Sequence, residues 1–260
     1  MRFRTSSGLS ISYKTRGRGR TIVLLHPVGM CSDFWVPVIQ ELEEEFRMIA
    51  PDARGHGDSD VPCQQFGLAQ LADDVSELVC AVGQVPTIAV GCSMGGMIVQ
   101  ALIARYPALL RGGLIANTAH RRDDVGRAAM EQRAKAAEAG MPITIQTTLN
   151  RWFDADMQVL RPDLVLKARD WLLNADPIVH AWSWRAIGGL NYNDQLEATK
   201  VPCMALAGLR DQSTPVSAMK DMAASIPGCR YVEMDTGHLA PMENPKEFAS
   251  HVRAFANSLS

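Results

Sequence analysis

Residues 87–104 constrain the fold of this chain more than any other stretch. An apolar run at residues 87–90 enters a Gly-x-Ser-x-Gly pentapeptide formed by Gly91, Ser93 and Gly95 with their intervening residues, and a run with helical spacing at residues 97–104 leaves it. This pattern predicts a strand, a sharp turn and a helix, with the serine at the bend. Glycine is needed at both framing positions because a Cβ there would collide with the neighbouring strand or helix.

A serine at such a bend is suited to covalent catalysis. The turn carries the Ser93 hydroxyl beyond the sheet edge, and the following helix directs its N-terminal N–H groups at negative charge that forms there. The same pattern also occurs in turns whose serine only caps a helix. The pentapeptide alone leaves both interpretations open, and other stretches of the chain decide between them.

Apolar runs typical of strands alternate with helical patterns along most of the chain. The runs lie at residues 21–25, 47–50, 87–90, 114–117, 201–208 and 230–234. This alternation predicts a mostly parallel sheet covered by helices on both faces. Sites in such sheets form where strands end at their carboxyl edge. Ser93, Asp211 and His238 each lie just past a predicted strand end, in this order.

Together these three residue types can turn a weak nucleophile into a strong one. We expect His238 to take the proton from Ser93 and return it to the leaving group, while Asp211 holds the imidazole tautomer. Asp235 is too close to His238 in sequence to come from another strand end, and Asn117, which ends the apolar run at residues 114–117, is an amide and not an acid. Taken alone, Asp211 could also serve as the cap of a turn.

Five motifs resemble those of the α/β-hydrolases and are together most similar to the 3-oxoadipate enol-lactonase branch. They are His26-Pro27-Val28-Gly29, Asp52-Ala53-Arg54-Gly55-His56-Gly57-Asp58-Ser59, Gly91-Cys92-Ser93-Met94-Gly95-Gly96, Asn117-Thr118-Ala119 and Arg151-Trp152-Phe153. Only the last two favour that branch specifically. The resemblance covers nearly the whole chain. It implies the α/β-hydrolase fold: a mostly parallel eight-stranded sheet with helices on both faces and an inserted helical lid.

The resemblance also implies which groups form the oxyanion hole. The donors carried over are the backbone N–H groups of Val28 and Met94. Pro27 stands where the family usually has glycine and cannot donate, but the implied donor is the next residue, which still can. The loop at residues 51–59 is expected to be a scaffold beneath the site.

Strand patterns disappear between residues 120 and 195, where helical patterns dominate. We therefore expect a first part of the α/β-hydrolase core over residues 1–119, a helical lid insertion over residues 120–195 and a second part of the core over residues 196–260. A lid has to place apolar surface over the nucleophile, although tryptophans at helical spacing usually pack in a core. Trp152 and Trp184 are our candidates for contact with substrate.

Arginines next to these tryptophans indicate an anionic substrate. Arg151 precedes Trp152, and Arg185 follows Trp184. A planar guanidinium can bind a carboxylate through two hydrogen bonds. Each arginine singly could instead be a solvated charge on the lid surface. Arg151 joins the two tryptophans as a candidate substrate-binding residue.

Composition argues against several classes of partner. The chain has 26 basic and 28 acidic residues, a net charge of −2 and no basic block, which disfavours nucleic acid and anionic membrane surfaces as partners. We expect neither a signal peptide nor a membrane span, because no apolar run has the required length. The six scattered cysteines indicate reduced thiols and a cytoplasmic location. Dispersed histidines suggest no metal site; we expect no cofactor, and a homo-oligomer is left open.

These inferences predict a serine hydrolase that acts through an acyl-enzyme on a small ester or lactone. The resemblance narrows this to a 3-oxoadipate enol-lactonase-like lactonase of aromatic catabolism. Four alternatives remain open. They are a carboxylesterase of broad specificity that uses the same residues, a carbon–carbon bond hydrolase of ring-cleavage products with a different lid pocket, a cofactor-free haloperoxidase-like enzyme, and a ligand receptor that keeps Ser93, His238 and Asp211 and turns over slowly.

Overall fold

A computed structural model describes residues 1–259, and in that part of the chain eight strands form one sheet. The strands are β1 (Arg2–Arg4), β2 (Ser10–Arg16), β3 (Thr21–Leu25), β4 (Arg47–Pro51), β5 (Thr87–Cys92), β6 (Leu110–Ala116), β7 (Cys203–Gly208) and β8 (Arg230–Met234). Their order across the sheet is β1-β2-β4-β3-β5-β6-β7-β8. β1 and β2 pair antiparallel and the other six strands run parallel, which confirms the predicted sheet.

The strand order reverses between β3 and β5. From β3 the chain moves to β4 on one side, and then crosses over β3 to place β5 on the other side. Loops that leave two such strands diverge and open a crevice at the carboxyl edge of the sheet, where ligands bind in α/β folds. The loop after β3 contains Val28, and the turn after β5 contains Ser93. The fold therefore brings these two predicted site segments together.

Two groups of helices cover the sheet. One group consists of α1 (Val36–Leu42), the short α11 (Ala240–Glu243) and α12 (Pro245–Ser258), which pack together. The other consists of α2 (Leu68–Val82), α3 (Met94–Arg105), α9 (Asn193–Glu197) and α10 (Val216–Ser225). β3, β5 and β7 are buried at every residue, which explains why their sequences are continuous apolar runs without alternation.

Five helices lie between β6 and α9, and we refer to them as the lid helices. They are α4 (Asp124–Glu138), α5 (Met141–Trp152), α6 (Ala155–Leu160), α7 (Pro162–Asn174) and α8 (Pro177–Gly188). α4 packs along α8, and α5 packs against both α4 and α7. α9 contacts α3 and α10 of the sheet region. The expected boundary at residue 195 falls inside α9, and the division into three segments stays a prediction.

Candidate active site

Ser93 occupies the sharp turn that the pentapeptide predicts. It lies between β5 and α3 with φ 55° and ψ −119°, a backbone conformation that non-glycine residues rarely adopt. A Cβ at Gly91 would overlap the Gly95 backbone, and a Cβ at Gly95 would overlap the Leu25 carbonyl at the end of β3. The two glycines therefore let the turn pack directly against its neighbours, for the steric reason expected from the sequence.

Ser93, His238 and Asp211 form one hydrogen-bonded row. The Ser93 Oγ lies 2.9 Å from His238 Nε2, and His238 Nδ1 lies 2.8 Å from Asp211 Oδ2. The three residues are only 7%, 3% and 8% exposed, in that order. Because the carboxylate accepts a hydrogen bond from Nδ1–H, the imidazole tautomer that it holds presents the lone pair of Nε2 to the serine hydroxyl. This arrangement can remove the hydroxyl proton as the oxygen attacks an electrophile.

The second oxygen of the Asp211 carboxylate is also anchored. Its Oδ1 accepts the backbone N–H groups of Ser213 and Thr214, at 2.7 and 2.9 Å. The turn-capping role that the sequence offered as an alternative for Asp211 thus exists alongside the contact with His238. One carboxylate oxygen caps the turn and the other contacts His238, so the orientation of the Asp211 carboxylate is fixed on both sides.

Asn117 is a site residue that sequence reasoning placed but did not use. Its Nδ2 donates to Asp211 Oδ2 at 3.1 Å and to the Gly237 carbonyl at 3.2 Å. Its φ of 48° lies in the left-handed region, which asparagine tolerates better than most residues. The sequence feature that could have identified its role is its position just past β6. β6 pairs with β7, the strand that precedes Asp211. Asn117 therefore positions the carboxylate that orients His238.

Trp152 lies against the histidine. Its carbonyl accepts the His238 backbone N–H at 3.2 Å, and the two rings stack with centroids 6.3 Å apart and planes 18° apart. The last residue of α5 is therefore part of the wall around His238.

Cys92 directly precedes Ser93 in sequence and is fully buried. Burial raises the pKa of the Cys92 thiol well above its usual range, which keeps this thiol protonated and a poor nucleophile.

Val28 and Met94 lie at the crevice that the strand order creates. Both are buried, and within residues 1–259 neither backbone N–H donates to another backbone carbonyl. Met94 is the first residue of α3, so its N–H belongs to the positive end of a helix. These N–H groups can therefore receive negative charge that develops next to Ser93. Their role as an oxyanion hole remains a proposal.

The loops beneath the site are held by buried polar contacts. His26 Nδ1–H donates to the Pro27 carbonyl at 2.7 Å, and its Nε2 accepts the Ala53 N–H at 2.9 Å. Burial lowers the pKa of His26, so its ring stays neutral in this role. Asp52 Oδ1 accepts the Ser32 N–H at 2.6 Å. The histidine and aspartate of these two motifs thus tie the loops after β3 and β4 together.

Arg210 connects three segments around the site, and reasoning from the sequence did not identify it. Its guanidinium contacts Asp154 at 3.1 Å in the lid, Asp235 at 3.0 Å after β8, and Glu243 at 3.4 Å in α11. Both Glu243 carboxylate oxygens accept the Gly237 N–H, at 3.1 and 3.0 Å. Because Arg210 and Gly237 directly precede Asp211 and His238 in sequence, this network holds the two loops in register.

The candidate lid residues have different surroundings. The Trp184 ring packs edge-on against His180, with centroids 5.8 Å apart, and the Arg133 Cζ lies 4.9 Å from the Trp184 centroid. The His180 ring nitrogens are buried without hydrogen-bond partners, and burial lowers the His180 pKa to about 4. Trp184 is 6% exposed, so it packs in the interior of the lid.

The two candidate arginines are in opposite situations. Arg185 binds Glu131 at 2.9 Å and Glu138 at 2.5 Å, so its guanidinium is already paired and Arg185 is removed from the candidates. Arg151 donates from Nη2 to Thr148 Oγ1 at 3.2 Å, while its Nε is buried without a partner. Arg151 therefore keeps donor capacity for another acceptor.

Residues 1–259 contain neither a candidate metal site nor a candidate membrane span. In this range no group of three or more histidines, cysteines or acidic side chains is placed to hold a metal ion. Nor does any helix in the same range have the length and apolar character needed to cross a membrane.

Comparison with known proteins places this geometry in context. A model of the alpha/beta hydrolase family matches residues 22–251. The (E)-2-((N-methylformamido)methylene)succinate hydrolase of Acinetobacter baylyi is 26% identical over 254 residues, which cover 96% of this chain and 95% of that protein. A thermophilic esterase from Thermogutta terrifontis with malate bound superposes with a TM-score of 0.94 at 26% identity, covering 100% of this chain and 99% of the esterase. The enol-lactonase from Burkholderia xenovorans LB400 gives a TM-score of 0.92 at 27% identity, covering 99% of this chain and 100% of the enol-lactonase.

An enol-lactonase is thus among the similar proteins, as the sequence resemblance predicted. The residues matched by the family model run from β3 into α12, and they contain Ser93, Asp211, His238 and all the lid helices. The similar structures align with nearly every residue of the chain, so the likeness includes the lid as well as the sheet. This protein therefore belongs to the alpha/beta hydrolase family and is a hydrolase.

Proposed function

We propose that this hydrolase cleaves a small ester or lactone through an acyl-enzyme on Ser93. The single observation that carries the proposal is the buried hydrogen-bonded row of Ser93, His238 and Asp211. A serine hydroxyl is a weak nucleophile near neutral pH, and this row supplies both the base and the group that orients it.

In the first half-reaction Ser93 Oγ attacks the substrate carbonyl carbon while His238 Nε2 takes the hydroxyl proton. The negative charge that forms on the carbonyl oxygen is received by the N–H groups of Val28 and Met94. Asp211 stabilises the imidazolium without taking its proton. When the carbon–oxygen bond of the leaving group breaks, His238 returns the proton to the leaving oxygen, and an ester of Ser93 remains.

In the second half-reaction water replaces the leaving group. His238 removes a proton from the water as its oxygen attacks the acyl carbon, and then protonates Ser93 Oγ as that bond breaks. In a lactone the leaving oxygen stays attached to the acyl chain, so the product is a single hydroxy acid or, from an enol-lactone, a single oxo acid. The lid has to accommodate that retained chain throughout the cycle.

For the substrate class we propose a small lactone that carries a carboxylate, similar to the substrates of 3-oxoadipate enol-lactonases. The similarity to an enol-lactonase supports the lactone. The similarity to the (E)-2-((N-methylformamido)methylene)succinate hydrolase and to the esterase with malate bound supports the acidic group. The half-buried Arg151, with its unpaired Nε, supports a carboxylate contact under the lid. A broad carboxylesterase is the second candidate, because the similarity to the thermophilic esterase is equally extensive.

The mechanism is tested by turnover of p-nitrophenyl acetate. Ser93→Ala and His238→Gln should each lower kcat by several orders of magnitude, because the residues of such a row act as a unit. Asp211→Asn should lose most turnover as well, since the imidazole tautomer is no longer held. Asp235→Asn is the matched control, an exposed acid next to the same loop, and should keep most of the activity. Near wild-type turnover of Asp211→Asn would refute the role of Asp211 as the group that orients His238.

The substrate class is tested by comparing an enol-lactone that carries a free carboxylate with its methyl ester. We expect kcat/KM for the acid to exceed that for the methyl ester by at least about tenfold, the effect of one charged hydrogen bond. Equal values would leave a carboxylesterase without preference for acidic substrates. This comparison leaves the role of Ser93 unaffected.

A further inference from the structure

The junction between lid helices α5 and α6 contacts both loops that carry the partners of Ser93. We refer to residues 152–154 as the α5–α6 junction, since Trp152 ends α5 and Asp154 is the N-cap of α6. The loop after β7 carries Asp211, and the loop after β8 carries His238. The junction is thus a place where the inserted helices meet the hydrogen-bonded row.

Trp152 holds His238 through its backbone and through its side chain. Its carbonyl accepts the His238 N–H at 3.2 Å, and its indole lies nearly parallel to the imidazole, with centroids 6.3 Å apart. This separation is within the range of offset-stacked aromatic pairs. Trp152 is 1% exposed, so water does not compete for these contacts. The backbone contact fixes the place of His238 in the loop, and the ring contact restricts tilting of the imidazole.

The junction and the loop after β8 fit closely. An added Cβ at Gly237, the residue before His238, would lie 2.9 Å from the Trp152 carbonyl oxygen and 2.8 Å from Glu243 Oε1. Glu243 belongs to α11. The loop that carries His238 is therefore enclosed between the lid on one side and α11 on the other, and a shift of the lid at Trp152 would move it.

Asp154 reaches the loop that carries the acid. Its Oδ2 lies 3.1 Å from Arg210 Nη1, and Arg210 directly precedes Asp211. Its Oδ1 accepts the Met157 N–H at 2.8 Å and so caps α6. The Asp154 side chain is only 16% exposed, so its ion pair is partly shielded from water. One carboxylate thus begins a lid helix and also holds the loop after β7.

Phe153 keeps the two contacts of the junction together. Its side chain is fully buried, its N–H donates to the Leu149 carbonyl at 2.9 Å, and its carbonyl accepts Gln158 Nε2 at 3.0 Å. Trp152 and Asp154 are only two residues apart on this anchored stretch. The positions of the His238 and Asp211 loops are therefore coupled to the same short segment of the lid.

We propose that Trp152 and Asp154 are positioning residues that hold His238 and the Asp211 loop in the geometry needed for turnover. The lid then completes the hydrogen-bonded row in addition to covering the substrate. A residue that orients the base affects kcat, whereas a residue that only binds substrate affects KM. Trp152 is also a candidate for contact with substrate, so this difference separates its two roles. The inference deepens the proposed function and rests on it for the role of the row.

The first test measures kcat and KM for p-nitrophenyl acetate in Trp152→Leu and Trp152→Phe. Leucine keeps a large apolar side chain without an aromatic face, whereas phenylalanine retains that face. We expect kcat of Trp152→Leu to fall by about three- to tenfold, the contribution of one aromatic pair, with KM changed by less than about twofold. Trp152→Phe should recover most of the loss. Trp171→Leu is the matched control and should keep the wild-type kcat, because this tryptophan lies on α7, where its ring faces Lys167 of the same helix.

Asp154→Asn tests the second contact. Asparagine keeps an oxygen that can cap α6 but loses the charge that pairs with Arg210. We expect kcat to fall by about two- to fivefold with KM unchanged, the effect of one partly exposed ion pair. Asp163→Asn is the matched control, because Asp163 also lies in the first turn of a lid helix but binds Arg161 of the lid. Its kcat should equal that of the wild type.

The rate at which a serine-reactive phosphonate labels Ser93 gives a readout without ester turnover, and it should fall in Trp152→Leu together with kcat. Wild-type kcat in both Trp152→Leu and Asp154→Asn would overturn the inference while leaving the proposed function intact, and so would a loss confined to KM. Urea unfolding checks that each variant is folded. If Trp152→Leu is not, Trp152→Phe replaces it and should show a smaller decrease in kcat. A wild-type protein that neither hydrolyses the ester nor takes the label would refute the proposed function and this inference with it.

Discussion

Asn117 Nδ2 and His238 Nδ1 bind the same oxygen of Asp211, at 3.1 and 2.8 Å. The amide therefore restricts the direction from which the carboxylate can hold the imidazole. We expect Asn117→Gly, which keeps the left-handed backbone accessible, to lower kcat on p-nitrophenyl acetate by about tenfold, the effect of one hydrogen bond to a charged group. KM should change little, because Asn117 orients Asp211 and is not proposed to touch the substrate. A kcat equal to wild type would show that Asp211 is held well enough without the amide.

Arg210 should contribute to the stability of the folded protein. Arg210→Met leaves the buried Glu243 without its cation, and we expect the free energy of unfolding to fall by about 1–3 kcal/mol. Urea unfolding measures this change. Adding Glu243→Gln removes the carboxylate that lost its partner, so the double variant should be less destabilised than the sum of the two single variants. Additive losses would argue that the two residues act independently.

Buried neutral histidines should make the protein sensitive to acid. Burial lowers the pKa of His56 to about 3 and of His180 to about 4, and it also lowers the pKa of His26. In the unfolded chain these rings titrate near pH 6.5. Below that pH the unfolded state binds protons that the folded state does not, so stability is lost as pH falls. The slope is about 1.4 kcal/mol per pH unit for each of His56 and His180, or about 3 for the two, down to about pH 4, and His26 contributes in the same direction.

Urea unfolding at pH 7.5, 6.0 and 5.0 measures this dependence. His180→Met should reduce the slope by about 1.4 kcal/mol per pH unit. Neither His180 ring nitrogen has a hydrogen-bond partner that the substitution would leave unpaired. The same slope in both proteins would show that His180 is protonated while the protein remains folded.

The core of the fold and the hydrogen-bonded row of Ser93, His238 and Asp211 could be predicted because both depend on the order of residues along the chain. Ser93, Asp211 and His238 each follow a parallel strand, and the carboxyl ends of such strands share one edge. β1 has only three residues, too few for periodicity to indicate a strand. Its pairing with β2 supplies the hydrogen bonds that define it.

Contacts between segments far apart in sequence could not be predicted in the same way. Arg210 reaches residues of the lid and of α11, and nothing in its local sequence indicates three acidic partners. Likewise Arg151 and Arg185 have the same neighbour type in sequence, a tryptophan. They differ only because α4 places Glu131 and Glu138 next to Arg185. Side-chain pairing across packed helices is set by tertiary structure, which one sequence does not display.

Labelling with a serine-reactive phosphonate tests the central claim most directly. The reagent forms a stable adduct with a serine that a neighbouring base activates. Intact-mass measurement of the wild-type protein should show one adduct, and peptide mapping should place it on Ser93. Ser93→Ala should remain unlabelled, whereas Cys92→Ser should be labelled like wild type. An adduct on Cys92 or any other residue, or labelling that persists in Ser93→Ala, would contradict the account.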